Sequence, residues 1–332
     1  MSNEIKLDSL KIYGCGGTGS NIIQQLGLPS TSSYFPKSSI CVIDTSDSNI
    51  NSGVTEDNVF LIPGVDGAGG NRKYAHDHAK PHLNNILSKF KPANVNVVVF
   101  GLSGGSGSVI GPLLVEELTK RNETVIVVGV LSTASKKETE NGYNTIGTLQ
   151  NISRVVTKKP IVISYHENES GKPFDNTDHI VIEQIRAIAM LSSGVNEGID
   201  QKDIYNWLNY NVNTNITPQL TDLVIYLHDS KNPDPNVYLP TPISVISLLS
   251  SKDSLSIELD QLTHCVGFIP EAANASSTLV VQDTHYITTN DYLNERLTRL
   301  KGVINKYIEA ESKINTIAIP EFTQTDGSTF VF

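Results

Sequence analysis

Residues 95–112 read VNVVVFGLSGGSGSVIGP. Val95–Phe100 is an almost unbroken β-branched run, the pattern of a strand buried on both faces of a parallel sheet. Gly101, Gly104, Gly105 and Gly107, interleaved with Ser103, Ser106 and Ser108, form a loop, and a helical pattern follows from Pro112 to Thr119. Glycines let a backbone turn tightly and bring its N–H groups close to a ligand, and a helix N-terminus adds the positive end of its dipole. Strand, glycine loop and helix in that order specify an anion site at the carboxyl end of a strand.

The same alternation runs through the first half of the chain. Further apolar strands are predicted at SLKIYG, SICVID, TVIVVGVL and PIVISY, with helical patterns at 21–26, 75–90 and 145–155 between them. This predicts an α/β fold with a parallel sheet covered on both faces. A long apolar helix is expected over Phe174–Ser192, lying between two layers. From about Tyr205 the pattern changes to strands (DLVIYL, PISVISLL, HCVGFI, STLVVQ) separated by turns such as Asn232-Pro233-Asp234-Pro235, and a last helix is expected over Asp291–Lys313. The expected organisation is a nucleotide-binding domain over 1–172, a central helix and loop over 173–204, a smaller α/β domain over 205–290, a helix over 291–316 and a polar tail over 317–332.

Composition narrows the function. The 332 residues carry 25 Lys+Arg against 35 Asp+Glu, a formal charge of −10, which argues against a general surface for nucleic acid or anionic lipid. Three scattered cysteines, Cys15, Cys41 and Cys265, provide no disulfide framework or zinc cage, and no apolar run reaches the length of a membrane span. A soluble protein of a reducing cytoplasm is expected. His78 and His82 have the i, i+4 spacing of helical metal ligands, with His76 nearby, but Pro81 interrupts the register and the expectation is a solvated helix face without metal. Cys15 lies in a loop before a helix, a position that can lower a thiol pKa, although its small size alone explains its presence.

Two further glycine segments raise the phosphate capacity. Leu10–Tyr13 leads into Gly14-Cys15-Gly16-Gly17-Thr18-Gly19-Ser20-Asn21 and then a helix, and Gly67-Ala68-Gly69-Gly70-Asn71-Arg72 supplies more backbone donors and a guanidinium. Gly14, Gly16 and Gly19 satisfy G-x-G-x-x-G, and Asp44 follows the next strand, so a nicotinamide-dependent oxidoreductase is one reading. Two anion loops in one sheet exceed the needs of a single pyrophosphate, whereas three loops together can surround a triphosphate. The motif G-x-x-x-x-G-K-[ST] is absent, which excludes a Walker-type site.

These loops resemble those of the tubulin/FtsZ superfamily. The signature G-G-G-T-G-[ST]-G appears as Ser103-Gly104-Gly105-Ser106-Gly107-Ser108-Val109, with Ser for Thr and Val for the last Gly. The first loop matches G-x-G-G-x-G-x-N through Gly14, Gly16, Gly17, Gly19 and Asn21, and the wording GAGGNRK and GGSGSV-x-GPL is similar to phage-encoded tubulins. The resemblance covers about 10–210 well and implies GTP/GDP with Mg²⁺ as ligands. The implied nucleotide contacts are Gly14, Cys15, Gly16, Gly17, Thr18, Ser20, Asn21, Asp44, Thr45, Gly69, Gly70, Asn71, Ser103, Gly104, Gly105, Ser106, Gly107 and Ser108. For the base it implies Asn168, with Phe174 stacking and Asp178 one turn later accepting from guanine N1–H and N2–H; Phe174 as a core residue and Asp178 as a helix N-terminal acid is the competing reading. Glu138, Glu140 and Asn141 lie in the loop expected near the ribose.

Family members carry G-x-x-N-x-D-x-x-D after the central helix, where the two acids position the water that attacks a γ-phosphate on the next subunit. Asp200 and Asp203 match them, with Val195 and Gly198 in place of the Gly and Asn. The same acids can simply cap a helix. The resemblance implies a GTPase that polymerises head to tail into filaments through self-association, positions phage DNA or replication structures in the host cytoplasm, and can involve an adaptor. A nucleotide-binding scaffold without hydrolysis is the remaining alternative. The tail ends in Phe330-Val331-Phe332, an apolar cluster that can dock on a neighbouring copy.

Overall fold

The computed structural model describes residues 10–26, 40–168, 174–192, 196–228, 240–251, 263–269 and 283–315. Its strands are β1 (Leu10–Cys15), β2 (Ile40–Asp44), β3 (Val59–Leu61), β4 (Val95–Gly101), β5 (Thr124–Leu131), β6 (Ile161–Glu167), β7 (Leu220–His228), β8 (Ser244–Leu249), β9 (Thr263–Phe268) and β10 (Asp283–Thr289). They form a ten-stranded sheet in the order β3-β2-β1-β4-β5-β6-β7-β10-β8-β9. Every neighbour pair from β3 to β7 is parallel, and β10 is antiparallel to both β7 and β8. The C-terminal strands thus continue the N-terminal sheet, with β7 paired to β6 through Ile161 and Leu220.

The helices are α1 (Gly16–Gln25), α2 (Arg72–Ala79), α3 (Leu83–Lys89), α4 (Gly107–Lys120), α5 (Lys136–Asn151), α6 (Phe174–Ser192), α7 (Gln201–Leu208) and α8 (Leu293–Asn315). Strand side chains alternate between faces. Val97 and Val99 of β4 join a core with α1, α6 and α7, and Val98 and Phe100 join a second core with α3, α4, α5 and α8. Helix α6 buries Val181, Ile185, Ile188 and Ala189 and also meets Leu223, Ile246 and Tyr286, so it lies under both halves of the sheet, while Ile180 on its outer side is 55% exposed. The Tyr286 hydroxyl fastens it by donating to the Ala187 carbonyl at 2.7 Å.

Several boundaries differ from the expected ones. The helix expected over 75–90 is broken into α2, a 3-10 turn at Lys80–His82 and α3, because Pro81 lacks an N–H and its ring excludes a continuous α-helix. Helix α4 starts five residues before Pro112, which it tolerates in its second turn. Helix α5 starts at Lys136, capped by Ser135, and ends in a π-helical turn at Ile152–Thr157. The strand expected at STLVVQ lies outside the described residues. Strand β10 has no counterpart in the sequence reading: DTHYITT looks polar, yet all seven of its residues are buried.

Strand β3, at one margin of the sheet, has three residues. At the other margin β9 meets the segment after α6, where Glu197 and Phe268 exchange two backbone hydrogen bonds of 2.7 Å. Helix α8 packs on the second core and grips the sheet by charge: Arg296 pairs with buried Asp222 and lies over the Tyr165 ring, and Arg299 pairs with Glu167 at the end of β6.

Candidate functional site

The strand order reverses between β1 and β4, which are adjacent although β2 and β3 intervene in sequence. In open α/β sheets such a reversal leaves a crevice at the carboxyl ends of the strands. Their register pairs Gly14 with Val99 and Cys15 with Phe100, so the loops that follow emerge side by side. Gly16 has φ +68°, and a Cβ there would stand 2.4 Å from the Gly107 nitrogen; a Cβ on Gly105 would stand 2.8 Å from the Gly70 nitrogen. The three glycine loops therefore touch backbone to backbone, which no larger residue permits at those two positions.

Between them opens a cleft of about 310 Å³, lined by Gly17, Thr18, Asp44, Thr45, Ser46, Ser48, Asn49, Gly67, Gly101, Gly104, Gly105, Ser106 and Gly107. Both α1 and α4 begin at its wall, and neither has a side-chain N-cap, whereas Asn71, Ser135 and Asp200 cap α2, α5 and α7. The first N–H groups of a helix have no partner within it. Two uncapped N-termini sharing one cleft are a built anion site.

Asp44 is the acid of the cleft wall, 2% exposed; it accepts from the Thr45 N–H at 2.7 Å and from Asn49 Nδ2 at 3.2 Å. Burial raises its pKa, and those hydrogen bonds offset part of the rise. Thr45 Oγ1 and Ser106 Oγ lie 2.6 Å apart across the cleft. Among the described residues no group of three or more His, Cys, Asp or Glu side chains is arranged to hold a metal ion. His78 Nδ1 lies 2.8 Å from the Tyr74 carbonyl, and His82 faces the Phe60 ring.

The remaining residues expected to hold nucleotide support the cleft from behind. A Cβ on Gly14 would meet the Gly19 carbonyl at 2.6 Å, so Gly14 lets α1 close onto β1. Ser20 is buried and Asn21 is exposed on α1. Asn71 caps α2, Ser103 Oγ donates to the Ser132 carbonyl at 2.7 Å, and Ser108 Oγ donates to the Gly104 carbonyl at 2.5 Å. Gly69 and Gly70 adopt φ +54° and +73°. Cys15 is fully buried, and burial pushes its thiol well above its ordinary pKa, the reverse of the activation that its position before a helix suggested. Ser46, Ser48 and Asn49 escaped the sequence reading, although a polar turn directly after Asp44-Thr45 was a usable signal.

Among the residues expected to meet the base, the Asn168 N–H donates to the Leu131 carbonyl at 2.9 Å, and its side-chain Oδ1 is buried with no hydrogen-bond partner among the described residues. Phe174 opens α6, but its side chain lies outside the described residues; Asp178 sits one turn on and is half-buried. Two residues before Asn168, burial holds the His166 pKa down at about 4, with Arg296 adding to the shift, and His166 Nε2 pairs with Ser164 Oγ at 2.9 Å. The unfolded chain protonates this histidine near pH 6.5 and the folded chain only near 4, so between those values the unfolded state binds more protons. Its contribution is therefore intact above pH 6.5 and is lost as the pH falls toward 4. Replacing His166 with Gln is expected to flatten the loss of stability between those pH values relative to the parent, as read by urea unfolding at each pH.

The acidic segment lies at the other pole. Helix α6 has 19 residues, which at about 1.5 Å per residue carry the chain roughly 28 Å from Phe174 to Ser192. Beyond it, Tyr205, Leu208 and Asn209 of α7 and its flank line a crevice with Asn122, Val125 and Pro160, at the amino ends of β5 and β6. Asp200 is the α7 N-cap: its Oδ1 accepts from the Lys202 and Asp203 N–H groups at 2.7 and 2.9 Å, and Asp203 Oδ2 accepts from the Asp200 N–H at 2.9 Å. The capping alternative is thus realised as a reciprocal box, and these backbone donors hold the Asp200 pKa below its ordinary value. Gly198 has φ +98°, a conformation that favours glycine, and its neighbour Glu197 is the residue bridged to Phe268.

Residues 9–167 match the Tubulin/FtsZ family, GTPase domain, and 199–289 match the phage tubulin-like protein, C-terminal domain. The fold is that of the tubulin/FtsZ class, and the three glycine loops fall within the matched GTPase domain. Among curated proteins, the chain is 36% identical over 241 residues to a phage tubulin-like protein of Pseudomonas phage PhiPA3, covering 72% of each chain, and 29% identical over 268 residues to that of Pseudomonas phage phiKZ, covering 76% and 78%. A protofilament structure of TubZ from bacteriophage PhiKZ superposes with a TM-score of 0.84 at 26% identity, covering 96% of each chain. A structure of the phage tubulin PhuZ with GDP gives 0.81 at 25% identity, covering 96% of this chain and 94% of that one. The chain belongs to the phage tubulin-like proteins of the tubulin/FtsZ family. The oxidoreductase reading finds no support in these matches, since the glycine loops it relied on fall within a GTPase domain. Among the described residues no helix is long and apolar enough to cross a membrane.

Proposed function

We propose that this protein binds GTP in the cleft between β1 and β4 and hydrolyses it only within a head-to-tail filament of its own copies. The observation that carries the reading is the separation of two half-sites in one chain. Uncapped helix N-termini and glycine loops stand at the carboxyl pole of the sheet, and Asp200 and Asp203 stand beyond the far end of α6. A chain cannot fold its own acids back across about 28 Å of helix, so a second copy stacked pole to pole supplies them. Such a heterologous contact does not close and propagates as a filament. The relative solved as a protofilament supports this geometry.

In the proposed reaction the backbone N–H groups of the glycine loops and of α1 and α4 spread the triphosphate charge. Asn168, with Phe174 and Asp178, receives the guanine. Asp200 and Asp203 of the adjoining copy orient the attacking water, and hydrolysis turns over a polymer that the bound nucleotide stabilises. Phosphoryl transfer needs little beyond such positioning and charge neutralisation. A Mg²⁺ ion accompanying the nucleotide would find Asp44 and the Thr45 and Ser106 hydroxyls as the protein oxygens of the cleft. When bound, the ion neutralises phosphate charge.

Phosphate release measured against protein concentration tests the reading. Specific activity is expected near zero below a threshold and to rise steeply above it, together with pelletable polymer. Turnover independent of concentration would remove the split site, and binding without turnover at any concentration would favour a nucleotide-binding scaffold.

A further inference from the structure

Ser103 and Ser108 brace the 103–108 loop from within, but a hydrogen-bonded tie between that loop and the 67–71 loop has to come from outside both. That task falls to α5. Asn141 is 9% exposed, and its Nδ2 lies 3.2 Å from the Gly70 carbonyl, 3.1 Å from the Ser103 carbonyl and 3.4 Å from the Gly104 carbonyl. Three carbonyl oxygens around one atom identify it as the amide nitrogen, which shares its two protons among them. One turn earlier, Lys137 Nζ donates to the Gly69 carbonyl at 2.9 Å. From α2, Arg72 Nη1 donates to the carbonyl of Asn141 itself at 3.0 Å, holding the helix against the loop.

In a trans peptide the C=O and the following N–H point in opposite directions. Tying the Ser103 carbonyl back to Asn141, and the Gly104 carbonyl to Asn141 together with Ser108 Oγ, therefore turns the Gly104 and Gly105 N–H groups away from α5, and both residues line the cleft. Tying the Gly69 carbonyl to Lys137 does the same for the Gly70 N–H, which stands beside Gly105. Resting on the reading of the cleft as a GTP site, we infer that Asn141, assisted by Lys137, is a positioning residue that locks the 67–71 loop to the 103–108 loop and thereby sets the preference for triphosphate over diphosphate. The 67–71 loop is the latched element: besides this lock it is held by the Gly67 N–H donating to the Thr45 carbonyl at 3.1 Å and by Ala68 packing with Val109, whereas α1 and α4 keep their N-termini whatever Asn141 does. Donors for the phosphates nearest those helices survive loss of the lock, and the extra donors for a third phosphate do not.

The test compares GTP and GDP affinities, measured by competition with a fluorescent guanine nucleotide, in the full-length chain, its Asn141→Asp variant and its Lys137→Ala variant. Asn141→Asp preserves shape but sets a carboxylate against three carbonyl oxygens; Lys137 is exposed, so its variant folds even if the first does not. The expected result is GTP affinity lowered roughly tenfold or more in Asn141→Asp and a few-fold in Lys137→Ala, with GDP affinity nearly unchanged, so that the GTP-to-GDP ratio falls. An unchanged ratio in every variant that folds, including parallel losses for both nucleotides, overturns the assignment and leaves Asn141 a packing residue. A parent chain that binds neither nucleotide would instead sink the reading of the cleft itself, a result distinguishable from the first.

Discussion

Replacing Asp203 with Asn is expected to leave GTP binding intact, lower phosphate release by about 100-fold or more, and lengthen the lifetime of assembled polymer. Removal of a group that orients or deprotonates an attacking water typically costs 10²–10⁴-fold in rate, and the nucleotide cleft lies at the opposite pole from this residue. Asn is the informative substitution because of what Asp203 already does. Its Oδ2 accepts from the Asp200 N–H, and an amide oxygen can take that place, so the start of α7 is kept while the charge is lost. Asp203→Ala removes both and adds a capping loss of about 1 kcal/mol, so the difference between the two variants separates helix stability from water positioning. Phosphate release above the assembly threshold, with nucleotide occupancy determined in the same samples, decides the matter. Turnover within about threefold of the parent would reduce Asp203 to a cap.

The second large effect is expected at Gly16. Alanine there must adopt φ +68° and put a Cβ 2.4 Å from the Gly107 nitrogen and 2.6 Å from its Cα. A left-handed backbone costs an L-residue roughly 1–2 kcal/mol, and the clash is with backbone, which cannot rotate aside. The β1–α1 loop and the start of α4 must separate, and the two N-termini no longer aim at one point. GTP binding is expected to weaken roughly 100-fold, equivalent to about 2.7 kcal/mol. Gly53→Ala is the control, since nothing lies within 4 Å of a Cβ at that position. A titration in which Gly16→Ala binds GTP as well as Gly53→Ala would show that the two loops need not touch.

What could be read without coordinates follows a physical division. The glycine loops announce themselves because the demand for no side chain is local, and the near-continuous valines of β4 announce a strand buried on both sides. Strand β10 was hidden for the opposite reason. Its Thr and His side chains are buried against polar groups on other strands: Thr288 Oγ1 donates to the Ser244 carbonyl at 3.1 Å, and Ser247 Oγ lies 2.8 Å from His285 Nδ1. Such pairing depends on residues some 40 positions away and leaves no periodic trace. Asn141 was similarly placed among three candidates for the ribose; its contacts to two separate loops arise from tertiary packing and have no spacing to read. Asp200 and Asp203 can be read from the sequence either as a cap or as a water-orienting pair; the structure shows the cap, and the second role is the one the Asp203→Asn measurement decides.

The margins of the sheet bear on how copies meet. A free strand edge invites another chain to add to it, which ends in lateral aggregates of indefinite width. Here one margin is a strand too short to template a neighbour, and the other has begun to be spent on Glu197, a residue of the segment that carries the acids. If copies stack as proposed, the stretch of chain that takes up part of this edge also carries the acids, so loosening the Glu197–Phe268 bridge is expected to disturb lateral association and turnover together.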